Sequence, residues 1–283
     1  MIDRRTYKPV PYYILTYLIT YALWFTGAYM SHREWGDGPH MILMLAGLIV
    51  PFVLSLVFIF ASGKPVLKRL FFNRLVNIHL IAPETFPFIF LIMPLSVLLS
   101  IVLSLPFGGT ISQFHFAEGF SFSAGFVPVV LLLFLASTFE ELGWRGYAFD
   151  SLESKHTFFT ASVIFGMVWS FWHFPLLFVK GSYQYEIFHQ NPLYALNFFV
   201  SIIPLGVIIS WVCIKNGKSI LAAVLFHFII NMSQEVSAIS PATKCIQTGV
   251  LTMIAVALIM VDRELFFSRK HFVPKRSQLR STE

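Results

Sequence analysis

Charge is scarce in this sequence: Asp, Glu, Lys and Arg make up 12% of its 283 residues, against roughly 25% in an average soluble domain. So few charges cannot coat a water-facing surface, which excludes an ordinary soluble enzyme and a disordered chain. Cysteine is scarcer still. Cys213 and Cys245 both lie in apolar stretches, so neither a disulfide scaffold nor a CxxC metal site can be built from them. The N-terminal run MIDRRTYKPVPYY leads into no short apolar core with a small-residue cleavage site, and no removable signal peptide is expected. Internal repeats, low-complexity tracts and a soluble domain are also missing from the pattern.

What fills the chain instead is apolar: 57% of residues are hydrophobic and the mean hydropathy is +0.73. A transmembrane helix needs about 20 mostly apolar residues. Candidates fall near 11–31, 41–62, 86–106, 122–149, 158–180, 192–214, 219–238 and 243–261. The expected fold is an all-α polytopic membrane protein of about eight transmembrane helices, a single transmembrane helical domain over residues 1–283. Between the second and third spans, Val66, Leu67, Leu70, Phe71, Leu75 and Ile78 recur at helical spacing, punctuated by Lys68, Arg69 and Arg74. That pattern predicts an interfacial amphipathic helix.

With these spans, seventeen of the twenty Lys and Arg residues sort to one side, leaving only Arg33, Lys180 and Lys244 on the other. Basic loops stay cytoplasmic, so both termini are expected there, with residues 262–283 as a basic cytoplasmic tail. The net charge of +6 is read as topology and attraction to anionic membrane lipid, and no nucleic-acid partner is expected. The membrane would be the cell membrane in a prokaryote and the endoplasmic reticulum in a eukaryote.

Ionisable groups in hydrocarbon cost at least a few kcal/mol each, so those inside spans are functional candidates. Few exist. Glu140 and Glu141 lie well inside the fourth span, His173 in the fifth and His227 in the seventh, with Glu235 near that span's outer end. Residues four apart share a helix face, which pairs Glu141 with Arg145, Trp169 with His173, and His227 with Asn231. Glu140 then points elsewhere and is left for chemistry. At about 1.5 Å per residue, Glu140, His173, His227 and Asn231 fall in the cytoplasmic half to the middle of the bilayer. One polar, water-admitting chamber between three spans accommodates them.

These patches read as EExxxR at Glu140, Glu141 and Arg145, as WxxxH at Trp169 and His173, and as HxxxN at His227 and Asn231. The combination resembles the CAAX prenyl protease and bacteriocin-processing superfamily of intramembrane endopeptidases, whose motifs are EExxxR, FxxxH and HxxxN. The resemblance covers residues 122–238, which would hold the catalytic core motifs. The layout is similar to the Ras-converting type II CAAX endopeptidase branch, archaeal members included. Trp169 departs from the usual phenylalanine, and Trp144 from a common one before the arginine; both keep an aromatic wall.

The resemblance implies removal of the C-terminal tripeptide from a prenylated protein or peptide C-terminus. By analogy, Glu140 is the general base, His173 helps hold or deprotonate the water, and His227 and Asn231 donate to the tetrahedral oxygen. Glu141 and Arg145 would fix the helix end and tune Glu140. Peptide hydrolysis by activated water needs a base and oxyanion donors, and these residues supply both without a cofactor. A zinc protease with Glu140, His173 and His227 as ligands stays open, although no two of them share one helix face as in HExxH and Asn231 would have no role. A proton-coupled transporter and a non-catalytic immunity or scaffold member of the superfamily are the other readings.

Overall fold

The computed structural model describes residues 4–33, 38–117 and 128–268. Among them the architecture is helical, without a named strand. The chain runs α1 (Pro9–Ser31), α2 (Gly38–Ala61), α3 (Pro65–Val76), α4 (Phe86–Ser104), α5 (Val129–Gly143) and α6 (Phe149–Glu153). It continues through α7 (Phe158–Trp172), α8 (Tyr183–Gln190), α9 (Pro192–Lys215), α10 (Ile220–Val236), α11 (Pro241–Val261) and α12 (Arg263–Phe267). The protein is an all-α polytopic membrane protein.

Each of the eight expected segments is helical where described, yet they are not equal. Five are long and apolar enough to cross a membrane: Gly38–Ala61, Pro83–Phe107, Phe158–Phe178, Pro192–Lys215 and Pro241–Val261. Ile220–Val236 is apolar but shorter. Helix α1 has the length, but Tyr12, Tyr13, Tyr17, Tyr21 and Trp24 lower its hydropathy. Helix α5 has 15 residues, and residues 122–127 of the expected fourth span lie outside the described residues.

Sequence punctuation explains the boundaries. Asn191, Ser219 and Ser240 cap α9, α10 and α11 by accepting backbone N–H groups, and Pro192 and Pro241 occupy first helical positions, where the missing N–H costs nothing. The fifth span is not one α-helix. Pro175 disfavours α geometry at the residue before it; α7 stops at Trp172 and a 3-10 turn spans Phe174–Phe178. Small residues set helix spacing. Gly166 of α7 faces Gly206 of α9 so closely that a Cβ on Gly206 would lie 2.7 Å from the Gly166 Cα, the close backbone approach that drives association within lipid.

The amphipathic helix forms as α3, with Leu67, Leu70 and Phe71 buried. One expectation fails there. Arg74 is not an interfacial charge; it is buried and binds Asp150 of α6 at 2.9 Å. Lys218, between α9 and α10, binds Asp150 at 2.9 Å and Glu153 at 2.7 Å. Burial alone would raise the Asp150 carboxyl, but Arg74 and Lys218 outweigh it and hold it at about 2. This cluster ties α3, α6 and the α9–α10 turn at the end of the bundle where most basic residues lie. Of the expected tail, α12 packs Phe266 on Phe158 with ring centroids 5.1 Å apart; residues 269–283 lie outside the described residues. Helix α8 had no counterpart among the expected elements.

Candidate active site

The glutamate pair sits in the last turn of α5, where the helix changes pitch. Residues Trp144–Ala148 form a π-helical turn before α6, a local widening that often marks functional sites. Gly143 at its entrance packs directly on Pro51 of α2, where a Cβ would lie 2.6 Å from the Pro51 carbonyl carbon. Its own carbonyl accepts from Ser55 Oγ at 2.8 Å and from Tyr12 Oη at 3.3 Å. These contacts clamp the chain next to the two acids.

Glu141 is fully buried and has two partners, Arg145 and His227. Arg145 Nε lies 3.5 Å from Glu141 Oε2, as the i,i+4 spacing predicts. The Arg145 guanidinium lies over Phe165, 4.2 Å from the ring centroid, a cation–π contact suited to a buried arginine. The other oxygen, Oε1, is 2.9 Å from His227 Nδ1. The motif spacing did not reveal this contact, because it joins α5 to a helix 86 positions later. Glu141 therefore touches His227 as well as Arg145, and the helix does not end beside it but continues through the π-turn into α6.

Glu140 points to α7, as its separation from Glu141 on the helix wheel requires. Its Oε2 accepts from the Trp169 indole Nε1 at 2.8 Å, and the residue is 6% exposed. His173 lies at the C-cap of α7, where its own N–H turns to the Ser170 carbonyl at 3.1 Å. That leaves the Trp169 carbonyl without the usual donor four residues on. The His173 ring fills the gap, with Nδ1 2.8 Å from Trp169 O. The Trp169 ring also meets both imidazoles, with centroids 6.1 Å from His173 and 5.2 Å from His227. One residue touches Glu140, His173 and His227.

Asn231 follows His227 by one turn of α10, and its Nδ2 is 3.1 Å from Ser137 Oγ on α5. Ser137 Oγ already donates to Leu133 O at 2.8 Å, so it accepts from Asn231, which fixes the amide's orientation. One Nδ2 hydrogen remains for another acceptor. Nothing in the motif pattern marked Ser137, since a serine in a span is ordinarily bound to its own helix.

Partner chemistry also fixes the imidazoles. A carbonyl oxygen can only accept, so His173 donates from Nδ1 and neutral His173 presents a lone pair at Nε2. A carboxylate likewise only accepts, so His227 donates from Nδ1 to Glu141. His227 can donate from Nε2 only as the imidazolium, for which Glu141 is the counter-charge. Both histidines donate from Nδ1 and differ in what receives that bond: a neutral carbonyl for His173, a carboxylate for His227, so a second proton on His227 has a counter-charge in contact. Among the described residues no group of three or more His, Cys, Asp and Glu side chains is arranged to hold a metal ion.

Comparison with known proteins places the chain in one family. Residues 122–233, which contain all three motifs, match the family described as type II CAAX prenyl endopeptidase Rce1-like. The chain is similar to the CAAX prenyl protease 2 of Methanococcus maripaludis, with 55% identity over 269 residues, covering 95% of this chain and 99% of that relative. The identity extends well beyond the motifs into the surrounding helices, and the chain belongs to the Rce1-like type II CAAX prenyl endopeptidase family.

Proposed function

We propose that the protein removes the C-terminal tripeptide from prenylated CAAX proteins by attack of a water that Glu140 activates. The carrying observation is the convergence of Glu140, His173 and His227 around Trp169, with one base, one proton acceptor and one oriented donor. Glu140 takes a proton from water through its free oxygen, and His173 Nε2 accepts the water's other hydrogen and positions it. The hydroxide adds to the carbonyl carbon of the prenylated cysteine itself. The resulting oxyanion receives hydrogen bonds from imidazolium His227 and the remaining Asn231 Nδ2 hydrogen. Collapse breaks the C–N bond as the proton held by Glu140 passes to the leaving amine nitrogen.

Burial of the acids inside a helical bundle suits a substrate whose lipid stays in the bilayer while its peptide enters from the aqueous side. In this reading both termini and the basic end of the bundle face the cytoplasm, as the loop charges favour, and the prenyl chain supplies much of the binding energy. The mechanism requires no cofactor. Exhaustive chelation followed by zinc repletion tests that point: activity should survive chelation, and loss restored by zinc would instead make Glu140, His173 and His227 metal ligands. Cleavage of farnesylated peptide beside the same peptide without its lipid tests the substrate. The farnesylated form should be cut far faster, and equal rates would overturn the lipid requirement.

A further inference from the structure

Trp169 brings a hydrogen-bond donor as well as a ring to the aromatic wall beside Glu140. That donor is used. The indole Nε1–H points at Glu140 Oε2 over 2.8 Å, in a pocket where Trp169 is 4% and Glu140 6% exposed. Glu140 Oε1 carries no hydrogen bond among the described residues. The same residue's carbonyl holds His173 Nδ1, so one short backbone segment sets the direction of both groups that would face the water.

The ring is itself immobilised. It stacks on Phe165 with centroids 5.8 Å apart and planes 20° from parallel, and it also makes an edge-on contact with His227, centroids 5.2 Å apart. A carboxylate on a flexible glutamate stem would otherwise swap its two oxygens and sample several rotamers. We propose that Trp169 is a positioning residue: its indole N–H anchors Oε2 of Glu140 and leaves Oε1 as the atom that takes the proton from water. This rests on the reading of Glu140 as the general base and goes beyond it by assigning separate tasks to the two oxygens. Trp169 touches neither water nor substrate in this role; it acts through Glu140.

The test pairs kinetics with indole NMR on the full-length protein in detergent micelles. Trp169→Phe keeps the ring wall and deletes the donor. Losing a hydrogen bond to a charged group should lower kcat about tenfold or more, with KM for farnesylated peptide changed by less than about twofold. In wild type labelled with indole 15N, one of the six tryptophan N–H signals should move on Glu140→Gln, and that same signal should be missing in Trp169→Phe. Unchanged kcat, a loss carried by KM, or an indole spectrum indifferent to Glu140→Gln would overturn the assignment. The Glu140→Gln comparison decides the contact even if Trp169→Phe fails to fold. Wild type that cuts no prenylated peptide while the indole signal still responds to Glu140→Gln would instead overturn the proposed activity and leave the Trp169–Glu140 pair standing.

Discussion

Adjacent glutamates in a membrane-spanning helix are separated by about 100° around its axis, and here that angle divides their labour. Glu140 faces Trp169 on α7, while Glu141 faces Arg145 and His227. Glu141→Gln keeps the size but removes the counter-charge that lets His227 act as a double donor. It should lower kcat by about 10²–10³, comparable to loss of an oxyanion-hole donor, with little change in KM; a change confined to KM would contradict the role. Asn231→Ala should cost less, because His227 remains. These residues were legible because embedded ionisable groups are so few. The Glu141–His227 bond was not legible, since spacing within one helix reports only its own faces. Trp169 was visible only as a wall, because an aromatic one turn from a histidine reads as packing until its N–H is seen to have a carboxylate partner.

Elements position these groups through close backbone approach and through a charged cluster at one end. The contact of Gly166 with Gly206 holds α7 against α9, and α7 carries both Trp169 and, at its cap, His173. Gly206→Leu should destabilise the protein by more than the roughly 1–3 kcal/mol of ordinary overpacking, because backbone rather than a movable side chain stands in the way. Thermal unfolding in micelles would measure it, and an unchanged midpoint would refute the packing argument. Lys218 is the one non-glycine residue at positive φ among the described residues, at 62°, and it holds Asp150 and Glu153 together. Lys218→Met should cost about 3–5 kcal/mol in the same unfolding measurement, because buried Glu153 loses its cation and Asp150 keeps only that of Arg74. The sequence showed α3 and its apolar stripe, but Arg74 looked like a solvent-facing charge because its partner Asp150 lies 76 positions away.

For the molecule as a whole, the hydropathy pattern and the loop charges outlined a helical membrane protein, while span lengths were harder to read. The helix of the fourth expected span runs through a π-turn and continues as α6 past the expected boundary at residue 149, and the fifth ends in a 3-10 turn that contains Pro175; neither feature alters composition enough to appear in a hydropathy window. The charged cluster also sets a global property. Burial alone would raise the Asp150 carboxyl, but Arg74 and Lys218 hold it at about 2, below its ordinary 3.8. A lowered carboxylate pKa contributes stability that is present above the unfolded value and lost as pH falls through the folded one. That contribution, about 2 kcal/mol, should therefore fade from pH near 4 toward pH 2, and Asp150→Asn should flatten this part of the stability curve. An equally steep acid loss in the variant would assign the effect to other groups. The central claim is chemical, and one assay addresses it most directly: cleavage of a farnesylated CAAX peptide by purified wild type beside Glu140→Ala, with the released tripeptide identified by mass. The account predicts tripeptide release by wild type and none above background from the folded variant. Release that survives in Glu140→Ala would contradict Glu140 as the base, and no release from folded wild type would contradict the prenyl-peptide assignment.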